Sequence, residues 1–368
     1  MRILIFSAST GGGHKRAAMA LREYIQTNSP ENDVKIVDGL ELSGKFYNNF
    51  ICRGYTILAK KMPRFYGKLY RNSDRKSVLN DFCSKVNKSK SKHLLPAINE
   101  FKPDVIISCH AFITTMLGDL KTKNKLSAQI IALVTDFASH YTYIAEGIDH
   151  YIVSSQKMVD DFKTRYNIDR EHVHPLGIPV FQKFAVKADR NELANQLGLK
   201  ENTKTVLFMA GSFGVNEVLK VYKDIAEKAK DCQFVVITGN NRILYNKFKF
   251  KINSNTRLLM FVDNVEDYMH CSDIIITKPG GLTVSESLRC NLPMAIYSAF
   301  PGQEADNAKF LVDIGVALML KKHPGDTINL LLNDAQRLNA MRENCERNCA
   351  GNSAKLILEL AYSLTEKN

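Results

Sequence analysis

The sequence predicts an α/β protein of two doubly wound, Rossmann-like domains facing a cleft, and three observations carry that prediction. Short, wholly apolar, β-rich runs recur between helical stretches; glycine-rich turns follow several of these runs; and the scheme starts afresh halfway along the chain. Strands that are apolar throughout suit a parallel sheet covered on both faces. At 368 residues the chain also exceeds the size at which one core usually stops growing, so two domains are expected.

In the first half the runs fall at 2–7, 33–38, 104–109, 129–135 and 151–154, with helical stretches from about 14 and over 156–166. The second half repeats the scheme at 206–209, 234–237, 258–261, 274–276 and 294–297. The pattern breaks between Gly177-Ile178-Pro179 and Asp189, which separates a domain over 1–185 from one over 186–350. Leu356, Ile357, Leu360 and Leu364 share one helical face, so 351–368 is expected to form a helix that packs back on the first domain.

A composition of 45% hydrophobic and 24% charged residues excludes a disordered or fibrous chain. No run reaches the ~18 apolar residues of a membrane span. The opening Arg2-Ile3-Leu4-Ile5-Phe6 reads as a first strand and lacks the regions of a signal peptide. Eight cysteines form no Cys-x-x-Cys pair, and Cys345 and Cys349 have no metal-ligand neighbours, so reduced thiols in the cytoplasm are expected.

Charge is concentrated in one region. Residues 43–96 hold thirteen Lys or Arg against Asp74 and Asp81, which accounts for +11 of the net +12. Within that segment Tyr47, Phe50, Ile51, Tyr55, Leu58 and Met62 recur at three- and four-residue steps, flanked by Lys45, Arg53, Lys60, Lys61 and, just beyond, Arg64. This is the pattern of an interfacial helix attracted to an anionic membrane surface. An ordinary amphipathic helix facing its own core has the same periodicity. A basic surface with interleaved aromatics also fits RNA, although no recognisable nucleic-acid module accompanies it.

Four loops could carry chemistry. Ser9-Thr10-Gly11-Gly12-Gly13-His14 follows the first strand and opens a helix; it matches neither the dinucleotide fingerprint nor a P-loop. Its glycines allow close approach to helix-start amides, and His14 titrates in the range of a general base. Thr277-Lys278-Pro279-Gly280-Gly281-Leu282-Thr283-Val284-Ser285-Glu286 is a second strand, glycine turn and helix, able to receive a diphosphate, with Glu286 placed to accept both hydroxyls of a ribose. Thr283 to Glu286 reads equally as a capping box. Pro301-Gly302-Gln303-Glu304-Ala305-Asp306-Asn307 offers the amides and carboxylates that sugar hydroxyls need, and Gly211-Ser212-Phe213-Gly214 adds another glycine turn. The last three loops follow strands of one sheet and so define a crevice at its carboxyl edge.

Taken together, STGGGHKRAA, VTDFASH, YIVSS with LGIPV, and ITKPGGLTVSES with FPGQEADNA resemble the diacylglycerol glycosyltransferases of glycosyltransferase family 28 over nearly the whole chain. The resemblance implies GT-B architecture and an inverting transfer of glucose or galactose from a UDP-sugar to diacylglycerol or a glycosyl-diacylglycerol, at the inner face of the cell membrane. It implies His14 as base, with Asp136 as helper. On the donor side it implies Gly211 and Ser212, Val262 at the uracil, Gly280, Gly281, Leu282 and Thr283 at the diphosphate, Glu286 at the ribose, and Gln303, Glu304 and Asn307 at the sugar. Gly12, Gly13, His140 and Tyr143 fall on the acceptor side, with Tyr143 and Ala145 standing where relatives carry Trp and His; Tyr55, Lys60, Lys61 and Arg64 fall on the membrane side. A polyprenyl-linked lipid is the alternative acceptor. No Asp-x-Asp pair is present, so no obligatory metal or other cofactor is expected, and no nucleic-acid partner.

Overall fold

A computed structural model of the chain describes residues 1–9, 12–44, 62–75, 78–186, 189–210 and 215–366. The described first half runs β1 (Arg2–Ser7), α1 (Gly13–Asn28), β2 (Asp33–Asp38), α2 (Gly39–Leu42), α3 (Pro63–Ser73), α4 (Val78–Ser89), α5 (Leu95–Phe101), β3 (Val105–Ser108), α6 (Ala111–Thr122), β4 (Gln129–Leu133), β5 (His150–Ile152), α7 (Gln156–Tyr166) and β6 (Val173–His174). The second half runs α8 (Arg190–Gln196), β7 (Thr205–Met209), α9 (Val215–Lys228), β8 (Gln233–Ile237), α10 (Arg242–Lys249), β9 (Thr256–Leu259), α11 (Val265–His270), β10 (Ile274–Thr277), α12 (Gly281–Arg289), β11 (Met294–Ile296), α13 (Gln303–Asp313), β12 (Ala317–Met319), α14 (Pro324–Asn333), α15 (Ala335–Arg347) and α16 (Ser353–Thr365).

Two six-stranded sheets result, ordered β2-β1-β3-β4-β5-β6 and β12-β11-β10-β7-β8-β9, with every pairing parallel. The apolar runs explain the burial. Ile3, Leu4, Ile5 and Phe6 of β1 and Ile274, Ile275 and Ile276 of β10 are all at 0% exposure, because helices cover both faces of each sheet. Local chemistry sets the helix ends. At α7 the Ser155 hydroxyl accepts from the Met158 N–H, and Asn167, at φ 57°, supplies the left-handed residue that stops the helix.

Three strand expectations shift. The edge strands β6 and β12 are too short to leave a signal, and β9 ends at Leu259, which leaves Phe261 and Val262 in the loop that follows. The last helix does cross back. Ile357 and Ala361 of α16 are fully buried, and the Asn32 side chain donates to the Tyr362 hydroxyl at 2.6 Å.

In the basic segment, Tyr55, Lys60, Lys61 and most of the anticipated apolar stripe lie outside the described residues. Downstream of that stripe, still within the basic segment, α3 and α4 are helical. No helix among the described residues is long and apolar enough to cross a membrane.

Candidate active site

Each sheet has a switch point where strand order reverses, and ligands of open α/β sheets bind in the crevice outside the carboxyl ends at such a point. In the first sheet it lies between β1 and β3, which lead into His14 and His110 respectively. In the second it lies between β7 and β10. The turn after β7, with Gly211 and Ser212, is outside the described residues, whereas the turn after β10 leads through Lys278, Pro279 and Gly280 into α12. Gly280 is the N-cap and makes no side-chain cap bond, so the helix starts before Thr283 and the capping-box reading does not apply.

His14 sits in the first turn of α1, behind Gly12, whose φ of 74° needs a residue without a Cβ. Its Nδ1 lies 2.9 Å from the Thr135 hydroxyl, which in turn is 3.3 Å from the Tyr143 hydroxyl. The His110 ring meets it edge to face, with centroids 4.9 Å apart. Withdrawal from water pushes the His14 imidazole down to about 4, against a backbone hydrogen bond at Cys109. His110 is held well below its usual value by burial and by the neighbouring His14. Both rings are therefore neutral at pH 7, the state in which an imidazole can accept a proton.

Asp136, the expected helper, bonds elsewhere: its Oδ1 accepts from the Asn307 side chain at 3.2 Å, and the side chain on His14 Nδ1 is Thr135. Burial, together with Glu304 and Asp306, raises its carboxyl to about 6, while the Asn307 bond pulls the other way.

The two glycine loops meet across the cleft. A Cβ on Gly281 would overlap the Thr135 carbonyl oxygen, and one on Gly13 would lie 3.9 Å from Leu282 Cβ. Asn307, at 0% exposure, joins the halves: its Oδ1 accepts from the Phe137 N–H at 2.8 Å while its Nδ2 donates to the Pro279 carbonyl at 3.1 Å and to Asp136. The amide expected at the sugar is thus engaged by two backbone groups and the Asp136 carboxylate in this structure. Glu286, 4% exposed, accepts from the Arg16 guanidinium of α1 at 2.8 Å. Burial raises its carboxyl to about 7, although Arg16 and Lys183 pull it down and Glu266 adds to the rise. The Arg16 Nε is buried and has no hydrogen-bond partner among the described residues.

The sugar-side loop is covered by α3. The Tyr66 hydroxyl donates to Gln303 Oε1 at 2.7 Å, and Gly302, at φ 119°, faces the Tyr66 and Tyr70 rings. Tyr70 stacks on His140 with centroids 4.0 Å apart, and the His140 Nε2 reaches the Tyr70 carbonyl at 3.1 Å. Glu304 accepts from the Phe300 N–H at 2.8 Å, and the Lys278 ammonium lies 3.9 Å from the centre of the Phe300 ring. Arg64 stands exposed on α3. Val262 follows an exposed Phe261, at 58%, at the carboxyl edge of the second sheet. Sequence reading missed Arg16, Tyr66, His110 and Thr135, because each acts across a long stretch of chain and none belongs to a glycine turn's own pattern.

Known proteins carry the same two halves. Residues 14–180 match the monogalactosyldiacylglycerol (MGDG) synthase family and residues 205–360 match the glycosyltransferase family 28 C-terminal domain. The chain belongs to the diacylglycerol glycosyltransferases of family 28. It is 27% identical to a processive diacylglycerol beta-glucosyltransferase of Bacillus pumilus, over 97% of this chain and 94% of that one. A relative of the same description from Staphylococcus epidermidis is also 27% identical, over 97% and 91%. This family member shares its fold with the MnaA–UDP structure of Staphylococcus aureus, at a TM-score of 0.63 and 13% identity over 99% and 96% of the chains. MurG of Acinetobacter baumannii gives 0.61 and 13% over 98% and 99%, and the glycosyltransferase SnogD of Streptomyces nogalater gives 0.61 and 13% over 98% and 99%. The architecture is GT-B, and the protein is a glycosyltransferase.

Asn307→Ala should show how much the cross-cleft amide contributes. The change strands the buried Phe137 N–H and Pro279 carbonyl, so a loss of about 2–3 kcal/mol in urea unfolding is expected. A loss below about 0.5 kcal/mol would mean that the amide joins nothing of consequence.

Proposed function

We propose that the cleft transfers glucose or galactose from a UDP-sugar, with inversion, to diacylglycerol or a glycosyl-diacylglycerol at an anionic membrane surface. In this reading residues 186–350 hold the donor and residues 1–185 hold the acceptor and face the membrane. The observation that carries it is the facing pair of glycine loops, with a neutral His14 on one wall and the start of α12 and the buried Glu286 on the other. The relatives named for diacylglycerol glucosyl transfer, and a fold shared with a UDP-bound structure, agree with it.

The donor would lie with its diphosphate on the free amides at the start of α12, around Gly281 and Leu282, where the helix dipole offsets the leaving charge. Its uracil would reach the backbone at Val262, beside Phe261. Its ribose hydroxyls would take the Glu286 carboxylate, displacing Arg16. Gln303 and Glu304 would contact the sugar, while the acceptor hydroxyl approaches from the Gly12–Gly13 side. His14 takes the proton of that hydroxyl as its oxygen attacks the anomeric carbon; the bond to the UDP oxygen breaks, its electron pair leaves with UDP, and the configuration inverts. The imidazolium that forms faces the departing anion, which favours it.

His14→Ala should lower turnover by roughly 10²–10⁴-fold, the usual range for a general base, and leave UDP affinity within about twofold. Single-turnover transfer of labelled hexose to diacylglycerol measures the first and calorimetry the second; full activity in the variant would remove His14 from the reaction.

Helix-start amides carry the diphosphate charge in this reading, so turnover after exhaustive chelation should match that of the untreated enzyme. An activity abolished by chelator and restored by magnesium would overturn that part.

A further inference from the structure

The whole-chain charge balance conceals a second basic region. From 240 to 262 the chain holds Arg242, Lys247, Lys249, Lys251 and Arg257 and no carboxylate. This stretch builds α10, the crossover helix between β8 and β9, on the half opposite to the basic segment at 43–96.

The inner face of α10 is anchored. Leu244 and Phe248 are at 1% and 0% exposure, and the Phe248 ring packs edge to face on Tyr222 with centroids 5.3 Å apart. Its outer face is the unusual one. Ile243 stands at 68% exposure and Phe250, seven residues on and therefore on the same side, at 83%. Arg242, Lys247, Lys249 and Lys251 are exposed around them. Scattered single apolar side chains need no explanation. Two in line, both large and both ringed by cations, serve no internal packing, because the helix is already held by its other face.

We propose that this face of α10 docks on an anionic lipid bilayer. Ile243 and Phe250 enter the boundary between headgroups and acyl chains, and the surrounding Lys and Arg side chains meet lipid phosphates. Charge complementarity selects an anionic surface, and the aliphatic Ile243 protruding beside Phe250 favours a bilayer, which buries both, over a nucleic acid, whose bases could stack on Phe250 but would leave Ile243 in water. The inference rests on the proposed membrane acceptor for its purpose. It gives the donor-side half a lipid contact of its own, beside whatever the basic segment of the other half contributes.

Sedimentation of the full chain with vesicles, without substrate, tests it. The vesicles are phosphatidylcholine with or without phosphatidylglycerol, and the variants are Lys249→Gln/Lys251→Gln and Ile243→Ser/Phe250→Ser, all at exposed positions and checked for unchanged melting. At about 1 kcal/mol per cation, the charge variant should bind phosphatidylglycerol vesicles about tenfold or more weakly at low salt, a gap that shrinks at high salt. The apolar variant should bind at least about threefold more weakly at either salt. Both variants binding like the wild type would overturn the proposal. So would wild-type protein that ignores vesicles but shifts a polyribonucleotide through these same lysines. Because no turnover is measured, a protein that docks as expected yet fails to glycosylate diacylglycerol would refute the proposed acceptor and leave this surface standing.

Discussion

Everything at the candidate site depends on how closely two backbones approach. The start of α12 lies so near Thr135 that a Cβ on Gly281 has no room, and Asn307 fills the remaining space with three hydrogen bonds that reach both halves. That contact brings the carboxyl edge of one parallel sheet against that of the other. The start of α12 thereby comes to face the His14 imidazole. Neither half has a complete site by itself.

The same closeness sets the electrostatics. Groups withdrawn from water resist carrying charge. The His14 imidazole is lowered to about 4, while the Asp136 and Glu286 carboxyls are raised to about 6 and 7. Raised carboxyls and lowered imidazoles in one cleft mark a place of low polarity, where a few fixed dipoles and a cation exert more force than they would in water. Arg16 is one such cation, beside Lys183 and Lys278. Its pairing with Glu286 satisfies a buried carboxylate across the cleft, and its Nε has no partner among the described residues. In the proposed reading the ribose hydroxyls of the donor take the place of Arg16 on Glu286.

Most of the architecture was legible because strands buried on both faces announce themselves as apolar runs, and glycine turns mark where such strands hand over to helices. The short edge strands at 173–174 and 317–319 carry too few residues for any periodicity, so they were not. Candidate residues within a turn, such as His14, Gly281 and Glu286, stand out from local spacing alone. Residues whose partners are remote in sequence do not. Tyr66 lies 237 positions from Gln303 and Arg16 lies 270 from Glu286, and no property of either alone points to the other. Asn307 looked like a sugar ligand because its neighbours are polar, yet its place in the fold gives it three backbone and side-chain partners. The patch on α10 escaped because a helix period identifies two faces without saying which the fold will cover.

In the proposed donor complex Glu286 exchanges Arg16 for the ribose of a uridine nucleotide. Calorimetric titration of UDP from pH 6 to pH 8, into the wild type and into Glu286→Gln, measures it most directly. A carboxyl poised at about 7 gains its charge over that interval. The wild type should therefore tighten by up to about tenfold relative to the variant as pH rises. Identical pH profiles for the two proteins, with equal affinity at pH 8, would contradict the account.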